Sequence, residues 1–65
     1  MKSARENVQC SIKDLECSKR HLEQALTTVE KDVNRKSIES SLHAVSSALE
    51  NTKSTIDNYY EPPKH

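Results

Sequence analysis

Apolar residues recur along this chain at steps of three and four, in two runs. The first is Val8, Ile12, Leu15, Leu22, Leu26, Val29 and Val33; the second is Ile38, Leu42, Val45, Leu49, Ile56 and Tyr59. Such spacing puts each run on one face of a helix, along a coiled-coil seam. Between Val33 and Ile38 the step is five, where a continuing heptad needs three. Two surplus residues rotate the next side chain by about 200° on an ideal helix. One long helix, the alternative architecture, would therefore show the two stripes on opposite faces. A turn between the runs brings them together as an antiparallel helical hairpin.

The local signals set the expected boundaries. Ser3-Ala4-Arg5-Glu6 has the Ser-x-x-Glu pattern of a capping box, so helix 1 is expected over about 4–33. The turn is expected within about 33–37, where Asn34 is a candidate for a left-handed helix end and Asn34 or Ser37 for the next cap. Helix 2 then runs over about 37–60. Pro62-Pro63 removes amide donors and biases Glu61 away from helix, leaving a loose tail at 61–65. The whole of 1–65 reads as a single helical-hairpin domain.

Heptad positions refine the packing. With Val8, Leu15, Leu22 and Val29 at d, the residues beside the seam at g are Ala4, Ser11, Ser18 and Ala25; in helix 2 they are Ser41, Ala48 and Thr55. All are small. Small flanks allow close helix approach, so they are assigned to the neighbouring helix and the aliphatic seams to a core shared between chains. Lys19 and Thr52 are polar seam residues of the kind that fix register at a cost in stability.

Composition supports this reading and adds the need for a partner. The 65 residues contain no Trp, Phe or Gly and only two Tyr, with a hydrophobic fraction of 32%. A core this small ordinarily requires disulfides, a metal or oligomerisation. Oligomerisation is expected, with a homodimer forming a four-helix bundle favoured and a further protein partner allowed. The function this implies is that of a small non-enzymatic structural or protein-interaction module, with the thirteen seam residues above carrying association.

Ten basic and ten acidic side chains cancel, which argues against nucleic acid, since that usually demands a basic face. A hairpin of this length is also the architecture of the plasmid copy-control RNA-binding protein, which makes an RNA-binding hairpin dimer an alternative. Lys13, Arg20, Arg35, Lys36 and Lys53 are nevertheless spread around both helices rather than aligned. The absence of any apolar run longer than two residues argues against membrane insertion and a signal-peptide core. A cytoplasmic location follows as the expectation, with the cysteines as free thiols.

Candidate chemistry rests on few residues. Cys10 and Cys17 share an outer face roughly 10 Å apart along the axis, too far to bridge each other. Cys17 and His21 stand at i and i+4, adjacent on one face. A metal- or redox-responsive module using Cys10, Cys17 and His21 is therefore the second reading, although four zinc ligands would require a further pair from a symmetry mate. His21 also evokes the phosphoacceptor of histidine-kinase dimerisation hairpins, but His21-Leu22-Glu23-Gln24 lacks the acidic residue that usually follows it. His43 falls on a solvated face. Glu16, Glu23 and Glu30 repeat at e positions as partner-facing or solvated charge. Nothing pairs a nucleophile with a base, so no enzyme, catalytic residue, cofactor or bound metal is expected.

Val8-Gln9-Cys10-Ser11-Ile12 entering Leu15, Leu22-Glu23 leading to Ala25-Leu26, a polar turn, then Leu42, Leu49, Ile56 and a closing Glu61-Pro62 together resemble a family of short two-helix proteins of endospore-forming bacteria, known as a domain of unknown function. The chain departs from that family at Tyr59-Tyr60 and at Pro63-Lys64-His65. The resemblance implies a small helical protein linked to spore membrane or germination functions, located in the spore or forespore. It supplies no catalytic residues.

Overall fold

In the computed structural model, which describes residues 2–60, two α-helices lie side by side, α1 over Ala4–Thr28 and α2 over Asp32–Asp57. No strand occurs among the described residues. The capping box forms as its sequence predicts. Ser3 Oγ accepts from the Glu6 amide at 3.1 Å, and Glu6 Oε1 accepts from the Ser3 amide at 2.9 Å. Two amides that a helix start leaves without partners are thereby satisfied. Those bonds favour the charged carboxylate: the Ser3 backbone bond first, then its hydroxyl, hold Glu6 below its ordinary value.

The turn comes earlier than the apolar spacing predicts. It occupies Val29–Lys31, and the expected turn at 33–37 lies inside α2. Three consecutive β-branched residues, Thr27-Thr28-Val29, explain the early stop, because they lose rotamer freedom in a helix. Thr27 Oγ1 donates to Gln24 O at 2.6 Å and Thr28 Oγ1 to Ala25 O at 3.4 Å, bonding the last turn to side chains. The chain then reverses through extended backbone, with φ −66°, ψ 137° at Val29 and φ −92°, ψ 134° at Lys31.

Among the described residues none has a positive φ, so the reversal needs no glycine and Asn34 is not a left-handed helix end. Neither Asn34 nor Ser37 is a cap. Ser37, within α2, donates its hydroxyl to Val33 O at 3.2 Å. Lys31 precedes α2 without a side-chain cap bond, and Asp32 supplies the acidic first turn that suits the positive end of a helix.

Helix α2 also stops before the expected Tyr60. Asn58 sends both its amide, at 3.0 Å, and its side-chain Nδ2, at 2.9 Å, back to Ser54 O. Asparagine competes with helix continuation in this way. The expected loose tail at 61–65, and the helix-stopping role given to Pro62-Pro63, lie outside the described residues.

Three contacts set the antiparallel register. Arg5 lies 5.8 Å from the Tyr59 ring centroid. Glu16 and Lys53 approach to 4.0 Å. Arg35 reaches the carbonyls of Leu26 and Val29. The three-four spacing carried inward from these anchors sets Val8 level with Ile56, Ile12 with Thr52, Leu15 with Leu49, Lys19 with Val45, Leu22 with Leu42, and Leu26 with Ile38. All of these residues are half-buried except Leu49, which is 5% exposed. Thr52 satisfies its hydroxyl on Ala48 O at 2.7 Å, so it tolerates its seam position.

Two expectations are corrected here. Val33 is not a seam residue of the hairpin: it lies on the outer side of α2, 69% exposed, and Arg35 takes the next inward position. The early turn is the reason, since it transfers Val33 from one helix to the other. The small flanks are likewise not the surface on which the helices meet. The aliphatic seams face each other within the hairpin, while Ser11, Ser18, Ser41 and Thr55 are exposed.

Candidate functional site

A hairpin of two helices has one line of contact and two broad faces. In cross-section the molecule measures 20 × 12 Å, two helices wide and one helix deep. The seam side chains therefore meet along one edge and remain partly open toward both faces. These faces differ sharply in chemistry.

One face is dense in charge. Glu16 and Glu23 line it from α1, with Glu39 and Lys53 on α2, and Glu30 lies in the connection between them. Glu16, Lys19, Arg20, Glu23, Leu49 and Lys53 surround a shallow depression on it. The Glu16–Lys53 pair at 4.0 Å has both side chains about half exposed. Such a surface pair contributes about 1 kcal/mol at most, so it orients the helices more than it holds them.

The opposite face carries the small flanks, Ser11, Ser18 and Ala25 on α1 with Ser41, Ala48 and Thr55 on α2. None is charged, and Ala25 and Ala48 are half-buried. Ser11 turns its hydroxyl back to Asn7 O and Thr55 to Asn51 O, both at 3.2 Å. These two side chains satisfy their own donors within the helix, so the surface is less polar than its composition suggests. Alongside it, Asp14, Cys17, Ser18, His21 and Leu22 line an open groove on α1 that is mainly apolar.

The structure brings Cys17 and His21 together in that groove and sets Cys10 apart. Cys10 is half-buried, with Lys2 Nζ donating to its Sγ at 3.2 Å, whereas Cys17 is exposed. Both thiols are free. Among the described residues no group of three or more His, Cys, Asp or Glu is placed to hold a metal ion. His43 is exposed on α2. No helix among the described residues is long and apolar enough to cross a membrane.

Two residues missed by apolar spacing prove structural. Arg35 donates from Nη2 to Val29 O at 3.0 Å and from Nη1 to Leu26 O at 3.3 Å, and Arg5 meets Tyr59. Both arginines continue the three-four spacing of the seams, as Arg5-Val8-Ile12 and Arg35-Ile38-Leu42. A periodicity that admitted long cationic side chains with apolar stems would have included them. Compared with family models, curated proteins and solved structures, the chain matches none.

Proposed function

We propose that this chain is a small non-enzymatic structural or protein-interaction module that acts by coiled-coil-like helix association, two hairpins combining into a four-helix bundle. The observation that carries the reading is the shortage of interior. Leu49 alone is buried among the described residues, and the seam residues along its line of contact are only half-buried. A second hairpin is a simple cover for half-open seams that the two described helices do not enclose by themselves. The resemblance to the spore-former family adds the spore or forespore as the place of action.

Sedimentation velocity over a wide concentration range, paired with circular dichroism, tests this. Dimers with concentration-dependent melting are expected. A helical, cooperatively melting monomer at every concentration would sink the reading.

A further inference from the structure

The two cysteines of α1 differ in one contact. Lys2 Nζ stands 3.2 Å from Cys10 Sγ, across eight positions of the chain, whereas exposed Cys17 has no such neighbour among the described residues. We infer that Cys10 and Lys2 are a modification site: a peroxide that oxidises the thiol leads to a reversible sulfur–nitrogen cross-link between them. The inference holds whether or not the chain associates.

Position brings the pair together. Lys2 precedes the N-cap residue Ser3, ahead of the first turn of α1. Side chains on a helix tilt toward its N-terminus, so Cys10 presents its sulfur in the direction of Lys2. Eight helical residues rise about 12 Å, and the long lysine stem lies back along the first two turns to close most of that span. The reacting atoms then already stand within the roughly 3–3.5 Å of a near-attack arrangement. Cys10 is half-buried, open to a molecule as small as peroxide and partly shielded from larger thiols. An amine held beside the sulfur therefore competes well with partners that must arrive from solution.

The chemistry closes in two steps. Peroxide transfers one oxygen to Cys10 Sγ, oxidising it by two electrons to a sulfenic acid, and is itself reduced to water. The neutral Lys2 amine then attacks Sγ. An S–N bond forms, the S–O bond breaks, and the hydroxide leaves with one amine proton as a second water. Sulfenic acids condense with a backbone nitrogen in the same manner. Each residue has then lost one hydrogen. A thiol reductant reverses the link by attacking Sγ and releasing the amine, and a second thiol equivalent restores Cys10. The closed loop contains the Ser3–Glu6 capping box, so the link holds the first turns of α1 against fraying.

The test treats the full chain with a stoichiometric amount of hydrogen peroxide at mildly alkaline pH, where more lysine amine is neutral. Intact mass should fall by two hydrogen atoms and return with a thiol reductant, and peptide mapping should join Lys2 to Cys10. Hydrogen exchange at Arg5 and Asn7 should slow in the linked form. Cys17→Ser should leave the link in place, and Cys10→Ser should abolish it. Lys2→Arg keeps the charge but removes the reactive amine, so it should accumulate the Cys10 sulfenic acid instead, read as a dimedone adduct. A two-hydrogen loss that vanishes in Cys17→Ser would be a disulfide and would overturn the inference. A loss that persists in Lys2→Arg would put the bond on Lys13 or a backbone nitrogen and would do the same. Equal dimedone labelling of Cys10 and Cys17 in the wild type, with no cross-link, would show that the neighbouring amine does not react.

Discussion

The closed and open ends of the hairpin use one device in two forms. Neither helix has a basic residue in its own last turn, although a cation there would suit the negative pole of the helix. Each instead receives an arginine from the opposite helix. At the closed end Arg35 of α2 donates to Leu26 O and Val29 O at the end of α1. At the open end Arg5 of α1 lies over Tyr59, just beyond the end of α2. Direct bonds to carbonyls that a helix end leaves unpaired are stronger than a ring-face contact at 5.8 Å. The closed end, tethered in addition by a three-residue connection, should be the firmer of the two.

The largest expected effect tests whether both ends belong to one cooperative unit. Leu49, 5% exposed, lies between them, level with Leu15. Leu49→Ala should cost about 2–3 kcal/mol, the lower part of the range for core Leu truncation, because the surroundings are half open and can relax. Hydrogen exchange should accelerate at both ends together. A loss of protection at one end alone would mean that the two ends open independently, and the comparison would then concern two local structures.

The next perturbation acts on one end. Arg35→Ala removes two charge-assisted bonds and should cost about 1.5 kcal/mol, the low end for hydrogen bonds to charged groups because the site is only partly buried. Exchange should rise first in the last turn of α1. Arg35→Lys should recover less than half, since an ammonium cannot reproduce the two-pronged reach of a guanidinium. Full recovery by lysine would mean that charge, not the paired geometry, secures the closed end.

Legibility in the sequence followed the range of the interaction. Ser3 and Glu6 lie three residues apart and cap each other, so their motif was readable as written. The two-helix architecture was readable as well, because stripes at steps of three and four define faces whatever joins them. The position of the turn was not. Apolar spacing gave weight to Val33, while the Thr27-Thr28-Val29 run that stops α1 acts through rotamer loss and hydroxyl bonds, which a hydrophobic pattern does not register. Arg35 was hidden for a further reason. Its partners, Leu26 and Val29, become neighbours only once the chain has reversed. The flanks were assigned to the wrong contact because heptad labels name the residues beside a seam without saying which edge stays open.

At the open end, the N-terminus of α1 offers a pH-dependent probe. Ser3→Ala should cost about 1 kcal/mol, as loss of a serine cap usually does, with fraying confined to the first turn of α1. Because Glu6 is held below its ordinary value of 4.5 by Ser3, its contribution is fully present above that value and is lost as pH falls through the lowered one. Acid should therefore loosen the open end before the closed end, and Ser3→Ala should weaken that pH dependence. Equal acid sensitivity in wild type and variant, followed by exchange at Arg5 and Asn7, would detach the effect from the cap.

The smallest effect concerns the ring. Tyr59 is half-buried while Tyr60 beside it is 77% exposed, so the two tyrosines act as a matched pair. Tyr59→Leu keeps an apolar side chain at the seam but removes the ring face from Arg5. It should cost about 0.5–1 kcal/mol, the size of a cation–π contact at an exposed site. Tyr59→Phe retains the ring and should be nearly neutral, and Tyr60→Leu should change nothing measurable. A double-mutant cycle between Arg5→Ala and Tyr59→Leu isolates the pairwise contribution. Additive losses would show that Arg5 serves the open end without Tyr59, and that the two ends share an arginine but not a mechanism.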